Sequence, residues 1–487
     1  MRDTSADKPT DCPLRRELGP FSLIAFGVSS TIGSGIFVIT GLAAARYAGP
    51  AVSLSYCIAG VACLCAGLCY AELAAQNEEA GSAYSYARTS MGETLGWIIG
   101  WDLILEFLFS AASGAVGWSG FLSGALADLG IALPQAVSGA PVALTSFDKL
   151  RLTGHWLNLP AVALVSVQTT LLFLGIRESR AFIGSVIALY VLVILVTIVC
   201  GSFFIETQNW RPFIPSAVDN RGHFGWRGMM TGAAIVFFSY TGFEAISAST
   251  REARDPKKDL PIALLGSLAI CAILYVSMAL VMTGLTRYDR LGGAEPIIDA
   301  LRAPGDHLTW LIPFVRAGII IGLSAASMGS MYAQIRIFYS MARDHLLPPM
   351  FKSVHPRHQT PQWSTLVVGL SCALIAGLLP LEILGELVSI GTLLAFAIVC
   401  VSVLLLRLRS PHATRPFTVP AAWIVAPLGV AICLYMTFSL PADTWWRLLI
   451  WMFAGALIYL GYGRRRAARL KEAEVSAPWR ASRTFRL

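Results

Sequence analysis

The sequence predicts an all-α polytopic membrane protein with twelve transmembrane helices: a five-plus-five inverted repeat whose first and sixth helices are broken, plus two extra helices. Three observations carry this. The 487 residues are 55% hydrophobic and only 14% charged, with a mean hydropathy of +0.64, far more apolar than a water-soluble chain of this length. Apolar runs long enough to cross a bilayer recur along the whole chain. Two of those runs, five spans apart, are interrupted by glycine and small polar residues.

Taking about 20 apolar residues per crossing, the spans fall at 20–45, 51–75, 94–127, 156–174, 181–205, 228–250, 260–285, 310–341, 364–379, 383–408, 422–440 and 445–462. The first run follows Arg15 and Arg16 but is too long for a secretory h-region and is followed by further spans, so it reads as retained. Placing the N-terminus inside puts 26 of the 37 Lys and Arg residues on the inner side, including the cluster from Arg464. That asymmetry predicts two cytoplasmic termini and an even number of spans. The expected organisation is a cytoplasmic tail (1–17), one transmembrane domain (18–463) and a basic cytoplasmic tail (464–487). Within the domain, repeat one covers about 18–205, repeat two about 227–408, and helices eleven and twelve about 419–463.

In span one the break is Thr31-Ile32-Gly33-Ser34-Gly35-Ile36-Phe37. Glycine lets the backbone leave helical geometry, and the N–H groups opening the second half-helix then suit an anion such as a carboxylate. Span six carries Phe238-Ser239-Tyr240-Thr241-Gly242-Phe243-Glu244. There the carbonyls closing a half-helix suit a cation such as an ammonium. A small-residue packing face explains Gly and Ser in one membrane helix equally well. Two matching breaks of opposite polarity instead describe a site for a zwitterionic amino acid, and hence a transporter.

Four acids lie in or near spans. Glu72 and Asp102 sit toward inner ends, where an interfacial carboxylate is the simpler reading. Glu106 and Glu244 are deeper, where an ionisable group lines a pathway or relay. The loop 251–261 reads as a solvated inner connection, with Pro261 at a helix start. Nine of the ten Cys lie in apolar runs, which excludes an external disulfide framework, and the seven His fall in loops or span ends, which argues against a metal centre within the membrane. The basic residues sit in loops and tails rather than on one face, so no nucleic-acid partner is expected. Membrane lipids are the expected partners of the basic tail.

The ordered motifs resemble the amino acid, polyamine and organocation transporter superfamily, and within it the cationic amino-acid transporter family in its bacterial twelve-span form. The resemblance runs from about Leu18 to Arg466. It is carried by Ile32-Gly33-Ser34-Gly35-Ile36-Phe37, Gly100-Trp101-Asp102-Leu103-Ile104-Leu105-Glu106, Gly117-Trp118-Ser119 and Phe238-Ser239-Tyr240-Thr241-Gly242-Phe243-Glu244. Further matches are Glu252-Ala253-Arg254-Asp255-Pro256, Met341-Ala342-Arg343-Asp344, Ile390-Gly391-Thr392-Leu393 and Arg415-Pro416-Phe417.

The resemblance implies the inverted-repeat fold with an amino acid between spans one and six. Its carboxylate would lie on backbone N–H groups around Ile32, Gly33, Ser34 and Gly35, and its ammonium on the carbonyls of Phe238, Ser239 and Thr241. Phe243 would gate the site. Tyr190 stands where several bacterial relatives carry a proton-responsive lysine. Because tyrosine titrates near 10, coupling would pass to Glu244 or Glu106, or the protein would exchange substrates without an ion. Gly329-Ser330-Met331 resembles the animal cationic transporters, and a small Ser330 beside Glu106 would leave room for a long cationic side chain.

The expected function is therefore secondary active transport of arginine, lysine or ornithine, without a cofactor or metal. The alternatives are a broad or neutral amino-acid permease or exchanger and, from a different class, an amino-acid sensor that does not transport. With no His in the spans and no HExxH or GxSxG motif, no enzyme is expected. Oligomeric state is not encoded in these features.

Overall fold

The computed structural model describes residues 19–463 except 77–83, 85–87, 89–91, 145–149, 176–179, 219–221, 245, 247–252, 356–357, 359 and 412–414. Both predicted tails, with Cys12 and the Arg464 cluster, lie outside the described residues, as do Arg177-Glu178-Ser179, Arg251-Glu252 and most of the second half of span six. Among the described residues the chain is almost wholly helical. Its strands are one short antiparallel hairpin, Val142–Leu144 with Leu150–Leu152, between spans three and four.

Each predicted span contains a helix. Span one is Pro20–Thr31 followed, after a break, by helical turns over residues 35–48. Span two is Val52–Gln76, three Glu93–Asp128, four Leu159–Leu174 and five Arg180–Ser202. Span six begins with Gly225–Val236, seven is Pro256–Leu285, eight Ile312–Arg343 and nine Gln362–Leu378. Ten is Leu381–Arg409, eleven Ala422–Ser439 and twelve Ala442–Ile458. Among the described residues seven helical stretches are long and apolar enough to cross a membrane alone, and shorter apolar helices fall in the other predicted spans.

The neighbour pattern reveals the repeat. Span three lies against eight, two against seven and four against nine. Span one packs on seven as six packs on two, and span five lies against seven and eight as ten lies against two and three. Exchanging each span with the one five places later maps this arrangement onto itself. Because five is odd, equivalent spans run in opposite directions, which is an inverted repeat. Spans eleven and twelve pack outside it, chiefly on ten. Span twelve is fastened to span three by a reciprocal pair, Trp101 Nε1 donating to Trp451 O at 2.9 Å and Trp451 Nε1 to Trp101 O at 3.2 Å.

The repeat extends to the ends of the bundle. At the end where span three finishes, Arg302 in the short helix Pro296–Arg302 meets Asp128 at 3.1 Å. At the other, basic end, where span eight finishes, Arg88 pairs with Asp344. The two are not equally reinforced. Arg316, with a side chain only 4% exposed, holds both Glu295 (2.8 Å) and Asp128 (2.5 Å). Among the described residues Asp344 gains the Tyr84 hydroxyl at 2.7 Å. Burial and the adjoining carboxylate push the Tyr84 phenol above its usual range, so it donates at every physiological pH.

Glu72 departs from its expected interfacial role. It is 1% exposed and bound by Arg407 at 2.5 and 3.1 Å, by Arg415 at 3.4 Å and by the Val419 N–H at 2.7 Å. A carboxylate buried this deeply is retained because charges and a backbone donor surround it. It ties span two to span ten and to the connection after it.

Candidate functional site between two broken helices

The first half of span one ends at Thr31. Ile32 is extended (φ −76°, ψ 110°), and its N–H closes the helix on Val28 O at 3.0 Å. Ile32 therefore contributes no spare donor to the break; the N–H groups opening the second half-helix begin at Gly33. The turn Gly35–Ile39 is a wide one, with the Thr40 N–H reaching back to Gly35 O.

Span six tightens over Phe237–Tyr240, becomes extended at Thr241 (φ −66°, ψ 149°) and turns through Gly242 at φ +108°. That backbone angle suits glycine alone. The Glu244 carboxylate folds back to accept the Gly242 N–H at 3.0 Å through both oxygens, capping its own break. Phe238 O already accepts the Thr241 N–H (3.2 Å) and the Thr241 hydroxyl (2.9 Å). Both of its lone pairs are thus occupied, whereas no such pair of bonds falls on the carbonyls of Ser239 and Thr241 among the described residues.

The two breaks touch. A methyl on Gly35 would stand 2.6 Å from Ser239 Cβ and 2.7 Å from Ser239 Cα, so only glycine permits this approach. The Ser30 hydroxyl donates to Gly242 O at 2.9 Å. Span seven adds Tyr275, whose hydroxyl lies 2.7 Å from Ser239 O and 3.1 Å from Thr31 O, joining the carbonyl ends of both broken helices. Span two adds Tyr56, within 3.1 Å of the Ser239 hydroxyl and 2.7 Å of Thr40. Tyr56 and Tyr275 escaped the sequence reading, although a phenol in the middle of an apolar run is a signal of the same kind as an intramembrane acid. A methyl on Gly33, by contrast, meets no atom within 4 Å, so the break has open space on that side.

The other predicted residues surround these breaks. Ser34 shares a 3.0 Å hydrogen bond with Ser113 of span three. Tyr190 donates to Gly33 O at 3.4 Å, its ring 5.3 Å from that of Phe37. Phe243 is fully buried, edge-on to Tyr70 and Phe396 on the basic side of the break. Glu106, 2% exposed, lies in hydrogen-bonding reach of Glu244 and of Thr392 in span ten. Ser330 lies 3.4 Å from Ser110, hydroxyl to hydroxyl. The structure thus gathers residues from spans one, three, five, six, eight and ten around one place in the bundle. Among the described residues no cluster of His, Cys, Asp or Glu is arranged to hold a metal.

Comparison with known proteins agrees with this architecture. The family profile described as amino acid permease matches residues 18–460. A methylthioribose transporter of Bacillus subtilis (strain 168) is 37% identical over 452 residues, 93% of this chain and 94% of that protein. The branched-chain amino acid permease BcaP of the same organism is also 37% identical, over 96% of this chain and 97% of its own length. A vacuolar cationic amino acid transporter 4 of Arabidopsis thaliana is 36% identical over 82% of this chain and 64% of that protein. These relatives are named for transport rather than for an enzymatic reaction. With its helices, breaks and relatives in agreement, the chain belongs to the amino acid permease family of the amino acid, polyamine and organocation transporter superfamily.

Proposed function

We propose that the protein is a secondary active permease for L-amino acids, with arginine, lysine and ornithine as its preferred cargo, working by alternating access in a cell membrane with both termini cytoplasmic. One observation carries the reading. The N–H end of one broken helix and the carbonyl ends of two lie together at the centre of the bundle, offering opposite partial charges to the two ends of a zwitterion. The carboxylate rests on the N–H groups of Gly33, Ser34 and Gly35, and the ammonium on the carbonyls of Ser239, Thr241 and Thr31. Phe243 gates the way to the basic end.

The side chain extends toward Ser330 and Glu106. Small hydroxyls at Ser110 and Ser330 leave width there, and Glu106 keeps one buried oxygen without a partner among the described residues. Coupling falls to the Glu106–Glu244 contact, because two carboxyl groups hydrogen-bond each other only through a proton. Tyr190 then serves as an anchor on the Gly33 carbonyl rather than as the proton carrier.

The test is uptake of labelled arginine, alanine and leucine into proteoliposomes, with and without an inward proton gradient. Arginine uptake that the gradient raises, and that lysine and ornithine compete for, is the expected result. Gradient-independent uptake driven by internal amino acid would make the protein an exchanger. Uptake confined to leucine or alanine would overturn the cationic preference, and binding without flux would make it a sensor.

A further inference from the structure

We propose that Gln334 of span eight, acting with Glu106, reads the distal end of the substrate side chain. The subsite lies between spans three and eight and fits a side chain that ends in an ammonium or guanidinium group. The proposal rests on the reading that the substrate backbone lies between the two helix breaks, and it adds a residue that the sequence motifs do not reveal.

Gln334 is 0% exposed, and neither its amide oxygen nor its amide nitrogen has a hydrogen-bond partner among the described residues. A side-chain amide offers two donors and two acceptor lone pairs, and buried ones are rarely left wholly unfilled. A buried amide with neither polar atom bonded marks a place where a missing polar group belongs.

The register of spans three and eight says which place. The helices run antiparallel, with Ser327 donating to Ala111 O at 2.9 Å, the Ser110 and Ser330 hydroxyls 3.4 Å apart, and Gly100 against Met341. Gln334 follows Ser330 by one helical turn and Glu106 precedes Ser110 by one turn. On antiparallel neighbours these steps lead to the same level. Glu106 Oε1 is likewise buried and unpartnered. Two acceptor oxygens, Glu106 Oε1 and Gln334 Oε1, therefore stand without donors where the two helices meet.

Distance selects the ligand. The Ser34–Ser113 bond fixes the carboxylate end of the site at the level of Ser113. Glu106 lies seven residues away along span three, about 10 Å at 1.5 Å per residue. The five bonds from Cα to the lysine ammonium, each about 1.5 Å, extend over about 6 Å. The carboxylate behind Cα and a hydrogen bond at either end close the remainder. Arginine reaches as far and brings five donors. Alanine and valine stop well short.

The experiment compares Gln334→Met, which keeps the length of the side chain and removes its polar atoms, with the unaltered protein. Binding is measured in detergent by competition against labelled arginine and against labelled alanine, and thermal unfolding is followed without substrate. The expected result is arginine, lysine and ornithine weakened about 10- to 100-fold, alanine weakened far less, and an apo melting temperature that does not fall. Gln334→Asn, which keeps the amide but retracts it, is expected to favour arginine over ornithine.

Equal weakening of all substrates, or a lower melting temperature with selectivity unchanged, would overturn the proposal, since either describes an amide that serves packing. An unaltered protein that takes alanine or leucine and refuses arginine would also overturn it while leaving the permease reading intact. An unaltered protein that binds no amino acid would remove the permease reading itself.

Discussion

The two halves of the bundle use one design and differ at its centre. In each, the first span is interrupted at glycine and small polar residues, and in each the third span ends on an aspartate paired with an arginine from the neighbouring connection. The breaks, however, are satisfied differently. Span six is closed by its own chain: Glu244 caps Gly242, and Thr241 occupies Phe238 O. Span one has Ile32 bonded back to Val28, Tyr190 on the Gly33 carbonyl and open space where a Gly33 side chain would be. The difference teaches that a repeat conserves the place of a break and leaves its filling free. One half closes its break with its own groups, and the other leaves open space beside Gly33.

The largest effect is expected from disturbing the self-capped break of span six. Gly242→Ala would place a side chain at φ +108° and drive its methyl against the backbone of Ser30. Strain at such an angle costs about 1–3 kcal/mol, and overpacking adds about as much again. The variant should unfold at a markedly lower temperature in detergent and lose transport with it. A melting temperature near that of the unaltered protein would show that the break in span six is soft.

Gly33→Leu addresses the other side of the comparison and should behave in the opposite way. The new side chain enters open space, so the protein should keep its melting temperature to within a few degrees. Because that space faces the start of the second half-helix, the variant should lose amino-acid binding about a hundredfold or more, whichever amino acid is offered. Binding assayed beside thermal unfolding separates the outcomes: transport retained by a folded variant would move the carboxylate site away from Gly33.

This contrast also explains what could be read in advance. Helix positions were legible because apolar runs and their length are dictated by the bilayer. The breaks were legible because glycine beside small polar residues recurs at matching places in two runs five spans apart. Which backbone groups at a break remain spare was not legible. The bonds from the Ile32 N–H to Val28 O and from Thr241 to Phe238 O appear only in the fold. Tyr275 and Gln334 were hidden for a related reason. Each lies among other polar residues of a largely apolar span, and what it meets depends on what other helices bring to the same level. Glu72 reads as interfacial until the fold supplies Arg407 and Arg415 from more than 300 residues away.

The smallest effects test whether the two halves also differ at their ends. Removing Arg302 leaves Asp128 held by Arg316, whereas removing Arg88 leaves Asp344, among the described residues, with the Tyr84 hydroxyl. Both arginines are at least 40% exposed at their side chains, and such pairs contribute about 0–1 kcal/mol. Arg302→Ala should therefore be close to neutral, while Arg88→Ala should favour opening of the basic end by up to about fivefold, the equivalent of 1 kcal/mol. Hydrogen exchange in lipid nanodiscs measures this directly, through the peptides that carry residues 88 and 302. Faster exchange at the basic end alone would mean that the better-built lock biases the protein toward releasing cargo on the basic side. Equal acceleration at both ends would mean that Arg316 adds nothing to the lock, and that the inverted repeat is balanced at its ends even though it is unbalanced at its centre.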